Sequence, residues 1–229
     1  MGRVYHFSKR RFRLFCERKQ VQMKVLLVNG SPNAHGCTDR ALQEMVQVFT
    51  QEGIEAKIFW LGKKPIGGCI ACESCEKLGR CVFDDKVNEF RELAKQADGF
   101  VFGTPVHYAS PAGSLVGFMD RLFYCTPRDV FRLKPAAAIA SARRAGTTAS
   151  LDMLNKYFTI SEMPIVSSRY WNGVHGNTAE EVERDEEGLY TMRVLARNMA
   201  YLLKCREAAD KAGVPLPQRE AGVITNFIH

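Results

Sequence analysis

The sequence predicts an α/β domain: a sheet of parallel strands with crossover helices. Two patterns carry that expectation. From Met23 onward, short apolar runs bounded by Gly or Pro alternate with segments whose apolar residues recur at helical spacing. A third observation bounds the class. The 229 residues, 46% hydrophobic and 25% charged, suit one domain with a sizeable core. No run approaches the ~20 apolar residues that cross a bilayer, and the first residues lack the apolar stretch of a secretory signal. The expected location is the cytoplasm, without membrane association.

The elements follow in order. Residues 24–29 (KVLLVN) read as a buried first strand ended by Gly30, and Leu42, Met45, Val46 and Phe49 mark a helix over 39–52. Residues 55–61 (EAKIFWL) are the second strand. Asp84 and Asp85 stand where a helix N-terminus favours negative charge, opening a helix through Ala97. Residues 99–103 are the third strand, 104–111 a loop, and 113–124 its helix. Residues 135–141 (PAAAIAS) are a fourth strand, so small in side chain that neighbours must pack closely on both faces. A helix with Leu151, Leu154, Tyr157 and Phe158 on one side precedes a short fifth strand at 164–167. Thr178 and Glu181 have capping-box spacing and open a long last helix with a stripe from Leu189 to Leu203. Residues 23–213 form one domain, and the tail 214–229 is expected to lie against the body or a neighbouring subunit.

Charge is concentrated at one end. Residues 1–22 hold seven Lys/Arg against Glu17, a net of +6 out of the chain's +7, so residues 23–229 carry +1. A nucleic-acid surface on the folded body is therefore not expected. Three readings stand for this basic extension: a stretch upstream of a natural start at Met23, a transit-like leader, or a functional arm. It is not expected to join the fold.

Between the first strand and helix lies Gly30-Ser31-Pro32-Asn33-Ala34-His35-Gly36-Cys37-Thr38. Strand, glycine-containing loop, then helix is the arrangement of a phosphate site, because free amides and the positive end of the helix dipole converge there. Ser31, Asn33 and Thr38 add donors, or merely make the turn and cap the helix. Neither GxGxxG nor GxxxxGK[ST] is present, which favours a monophosphate over a dinucleotide.

This loop resembles the GSPxxxGxT loop of the NAD(P)H-dependent FMN reductase and iron-sulfur flavoprotein group, of flavodoxin-like fold. The resemblance runs from residue 23 to about 170, with Cys37 in place of the common Asn. It implies a doubly wound five-stranded sheet of order 2-1-3-4-5 with helices on both faces. It also implies FMN held at Ser31, Asn33, Gly36, Cys37 and Thr38, and along Thr104, Pro105, Val106, His107 and Tyr108. The loop after strand four, with Ser141, Ala142, Arg143 and Gly146, would border the ring. Physical reasoning agrees, since ligands of such sheets sit at the carboxyl ends of the strands where the order reverses.

Four of eight cysteines fall within 13 residues: Cys69, Cys72, Cys75 and Cys81, in a loop spanning 67–83. Soft thiolates so spaced suit an iron–sulfur cluster, with structural zinc or redox-active thiols as the competitors. The resemblance implies a [4Fe–4S] cluster. Cys16, Cys125 and Cys205 read as ordinary single cysteines.

The expectation is an FMN oxidoreductase with NAD(P)H as electron donor, in which flavin does the chemistry and no side chain is catalytic. The acceptor would be a small molecule or a redox protein such as ferredoxin, and the assembly a homodimer or homotetramer. The alternative is a non-enzymatic redox-sensing module that uses the cysteine loop as a switch.

Overall fold

Alternation along Lys24–Asn29 (β1) sends Val25 and Leu27 to one face of a sheet and Leu26 and Val28 to the other, all fully buried. The computed structural model describes residues 22–220 together with 223, 225 and 227. The basic extension at 1–22 therefore lies outside the described residues, Gln22 excepted, as does part of the tail. Further strands are Glu55–Trp60 (β2), Gly99–His107 (β3), Ser110–Pro111 (β4), Ala136–Ala142 (β5) and Gly173–His175 (β6). The main path runs β2-β1-β3-β5-β6, parallel throughout, with β4 set aside as an antiparallel partner of β3. That path is the expected 2-1-3-4-5 order.

Helices cover both faces. Cys37–Gln51 (α1) and Glu186–Lys211 (α7) pack on the face with Val25, Leu27, Val101 and Ile139. Lys86–Ala94 (α3), Gly113–Cys125 (α4) and Thr147–Ile160 (α5) cover Leu26, Val28, Phe100 and Phe102. Ala136, Ala138 and Ala140 of β5 face that second layer, and Phe102 and Phe158 approach there with ring centroids 5.4 Å apart. Glu44 on α1 links the other layer, accepting from Arg40 and from Arg193 of α7. Burial pushes its carboxyl up, but the two guanidinium partners outweigh burial and hold it below its ordinary value. No helix among the described residues is long and apolar enough to cross a membrane.

Four expectations need correction. Residues 104–111 are a β-hairpin rather than a loop, because β3 continues to His107 and folds back onto Ser110–Pro111. The fifth strand lies at 173–175, whereas 164–167 makes only a single bridge from Ile165 to Ala136. The edge bulges between them, and the Asn172 side chain fills the missing rung by donating to Ala138 O at 3.1 Å. The cysteine loop contains a short helix, Ser74–Leu78 (α2). Finally, Thr178 caps a separate one-turn helix, Ala179–Val182 (α6), while α7 takes its own cap from Asp185, which accepts from Gly188 N at 2.9 Å. Of the described tail, which is exposed from Val214 to Glu220, Arg219 reaches Asp129 and Glu162, and Pro217 O accepts from Arg132.

Candidate functional site

Three loops meet at the carboxyl ends of β1, β3 and β5. The first leaves β1 through Gly30, whose N–H donates to Gly103 O of β3 at 2.9 Å. A Cβ at Gly30 would stand 2.9 Å from that oxygen and from Leu115 Cβ, so only glycine permits this approach. Asn29, buried at the strand end, organises the turn. Its Oδ1 accepts from Ser31 N at 3.0 Å, and its Nδ2 donates to Ala34 O at 3.3 Å and Asp39 Oδ1 at 3.4 Å. Sequence reasoning missed Asn29; a polar residue closing an apolar strand was the available signal.

Ser31 is buried, and its hydroxyl accepts from Asn33 N at 3.1 Å, so part of its role is to make the turn. Asn33 is exposed. Gly36 is the N-cap of α1 with no side-chain cap, and the first bond of the helix runs from Arg40 N to Gly36 O. The amides of Cys37, Thr38 and Asp39 precede that bond and remain for an incoming acceptor. Cys37 is half-buried and donates to Gly176 O at 3.4 Å; burial pushes its thiol up. Thr38 is buried, with its Oγ1 2.8 Å from Ser141 Oγ. That bond ties the first loop to the third.

The hairpin supplies the second loop. Thr104 is fully buried and pins it, accepting from Ala112 N and donating to Pro105 O, both at 2.9 Å. Pro105 and Val106 are half-buried, and His107 and Tyr108 are exposed. The tip is Tyr108-Ala109, with φ of 51° and 58°, the left-handed values that a tight hairpin turn demands and that side chains disfavour. The fully exposed Tyr108 ring thus stands at the end of a stiff support.

The third loop leaves β5 through buried Ser141 and Ala142, passes exposed Arg143 and Arg144, and enters α5 at Gly146. Gly146 has φ +93°, and a Cβ there would lie 2.8 Å from Ala109 Cα and from Val106 Cγ1. The second and third loops are therefore in contact at the hairpin tip. All the predicted flavin residues belong to these three mutually touching segments.

The cysteine loop packs elsewhere, along α4. A Cβ on Gly117 would meet Ile66 O at 2.7 Å, so the loop backbone lies directly on that helix. Cys69, Cys72, Cys75 and Cys81 all line one open concavity, together with Phe83, Arg121, Tyr124 and Cys125. Cys69 and Cys72 are exposed, Cys75 is intermediate and Cys81 is buried. A hydrogen bond from Ser74 holds the Cys72 thiol below its ordinary pKa, whereas burial pushes Cys75 and Cys125 up. Among the described residues no group of three or more His, Cys, Asp or Glu is placed to hold a metal ion.

Arg121, 2% exposed, donates to Cys81 Sγ from Nε and Nη2 at 3.3 and 3.2 Å. It also forks onto Asp85 at 2.7 and 2.9 Å. Burial pulls its pKa down, but Asp85 and Cys81 outweigh burial and hold it above the ordinary value. Arg121 and Cys125 escaped sequence reasoning, and Cys125 is not an isolated cysteine. Their i, i+4 spacing on one helix face was the only local signal. The two lie eight and twelve residues into α4, which at 1.5 Å per residue is ~12–18 Å from the hairpin end.

Comparison with known proteins bears on family and fold. The model of the family described as NADPH-dependent FMN reductase matches residues 23–178. Two iron-sulfur flavoproteins of Methanocaldococcus jannaschii are 29% and 30% identical over 192 and 196 residues, each match covering 80% of this chain and 98% of the relative. Among solved structures, a WrbA-like flavodoxin from Agrobacterium tumefaciens superposes with a TM-score of 0.57 at 14% identity, covering 80% of this chain and 99% of that one. That likeness is one of fold.

Proposed function

Because the chain belongs to the NADPH-dependent FMN reductase family, we propose that it is a cytoplasmic FMN oxidoreductase. It passes electrons from a reduced nicotinamide, or a ferredoxin-type donor, to a small molecule or redox protein. The observation that carries the reading is the convergence of three loops on the uncapped N-terminus of α1. FMN, when bound, supplies acceptance of an electron pair as hydride and release of electrons singly.

The residues divide the work of holding it. The first-turn amides of α1, the Ser31 hydroxyl proton and the Asn33 side chain suit a phosphate, whose charge the helix dipole favours. Thr38 acts mainly through Ser141, keeping the first loop on the third. Pro105, Val106 and His107 offer a rigid strand edge to the flavin's polar rim, and Tyr108 offers an aromatic face. Exposed Arg143, in the loop proposed to border the ring, is suited to a nicotinamide nucleotide's phosphate. No side chain is required as acid, base or nucleophile.

The cysteine concavity suits a [4Fe–4S] cluster held by Cys69, Cys72, Cys75 and Cys81. Four soft donors line one open concavity, and a buried guanidinium faces one of them. The names of the two methanogen relatives point the same way.

Ser31→Ala combined with Thr38→Ala tests the phosphate assignment. The doubly substituted protein is expected to purify with less FMN per chain than the parent; undiminished flavin content would refute the assignment.

A further inference from the structure

We propose that Arg121 is a positioning residue that holds Cys81 as the fixed corner of the cysteine concavity and sets the reduction potential of the cluster bound there. The proposal rests on the cluster reading above. Its ground is the difference between Cys81 and the other three cysteines.

Cys81 is gripped at both ends. Its backbone N–H donates to Asn88 Oδ1 at 3.0 Å, and its carbonyl accepts from Asn88 Nδ2 at 2.9 Å, so a buried side chain of α3 occupies both main-chain groups. Its sulfur takes two N–H bonds from Arg121 on α4. The guanidinium is itself fixed by the Asp85 fork, a bond to Phe83 O at 3.4 Å and the Phe83 ring, 4.8 Å from its centre. Asp85 in turn caps α3 through Val87 N. The other three lack a buried holder of this kind: Cys69 and Cys72 are exposed, with Cys72 held only by an exposed hydrogen bond from Ser74, and Cys75 rides on the five-residue α2.

A guanidinium fork suits an anionic sulfur far better than a thiol, which is a weak acceptor. The pair Arg121–Asp85 alone would make an adequate structural clasp; the two additional bonds to Sγ are what point to a bound group. Donors to ligand sulfur favour the more negative, reduced state and raise a cluster's potential. Removing them lowers it.

The test uses full-length protein reconstituted without oxygen with ferrous iron and sulfide. Parent, Arg121→Gln and Arg121→Lys are compared by iron and sulfide content and by redox titration of the cluster, with bound flavin as the measure of folding. Arg121→Gln is expected to shift the one-electron equilibrium tenfold or more toward the oxidised cluster, a fall of about 59 mV or more. Arg121→Lys, which keeps the charge and loses the fork, is expected to fall between, with flavin content unchanged. If the Gln variant loses flavin as well as iron, the Lys variant alone decides.

A fully loaded Gln variant with the parent's potential overturns the proposal and leaves the cluster reading intact. A Lys variant identical to the parent refutes the positioning role of the fork. A parent that takes up no iron sinks the cluster reading and this proposal with it.

Discussion

Gly146→Ala should damage both stability and flavin binding, and the structure separates the two causes. At φ +93° an added Cβ pushes the backbone into a region that costs an L residue about 1–2 kcal/mol. The same Cβ would stand 2.8 Å from Ala109 Cα and Val106 Cγ1. The first of these is backbone at a tight turn and cannot move aside cheaply, so overpacking adds about 1–3 kcal/mol. Gly62 supplies the control, because its φ is +90° and a Cβ there meets nothing within 4 Å. Gly62→Ala should therefore show the conformational cost alone. Denaturation of the three proteins, with flavin affinity from fluorescence quenching, reads both quantities. Gly146→Ala should be about 1–3 kcal/mol less stable than Gly62→Ala. If that strain pushes the hairpin away from the third loop, flavin should bind roughly 5- to 150-fold more weakly. Equal stability and equal flavin affinity in the two variants would refute the close approach of the loops and its role in the site.

Two further predictions concern other parts of the molecule. Burial, opposed by Asp98 and assisted by Arg206, lowers Lys134 from 10.5 to about 8, so between pH 8 and 10.5 the unfolded chain holds a proton that the folded chain has released, and stability rises with pH across that window. Lys134→Met should gain on the order of 2 kcal/mol at pH 7 and lose that rise, after allowance for partial exposure; an unchanged pH–stability curve would contradict the burial argument. Homo-oligomerisation is proposed on the exposed apolar rim of the cysteine concavity, Ile70, Val82, Phe83 and Tyr124, and a monomeric elution volume would count against it.

The layered fold was legible because each of its causes is local. The run KVLLVN, the helical spacing of Leu42, Met45 and Phe49, and the alanine-rich strand PAAAIAS each name an element, and crossover handedness then leaves few orders for the sheet. The hairpin at 104–111 was not legible. Its turn is Tyr108-Ala109 rather than Asn-Gly, and its return strand is the dipeptide Ser110-Pro111, against every short-range signal for such a turn. The interrupted edge strand was hidden for another reason, since a side chain, Asn172, takes the place of a backbone rung.

At the site, the loop from Gly30 to Thr38 and the cysteine cluster were found because each is contiguous in sequence. Their tertiary partners were not. Thr38 reaches Ser141 across 103 residues and Cys81 reaches Arg121 across 40, contacts that only the packing of α1 on β5 and of α4 on the cysteine loop creates. Thr38 consequently serves the junction of two loops, a role that its place in a phosphate motif did not suggest.

The central claim, an FMN oxidoreductase with a cluster in its cysteine loop, is tested most directly by an absorbance spectrum of protein purified without oxygen, with flavin, iron and sulfide quantified on the same sample. Bound FMN and about four iron per chain, with a broad shoulder near ~400 nm that bleaches on reduction, is the predicted result. Flavin without iron would remove the cluster and keep the flavoenzyme; a colourless protein that takes up no added FMN would contradict the account from Gly30 onward.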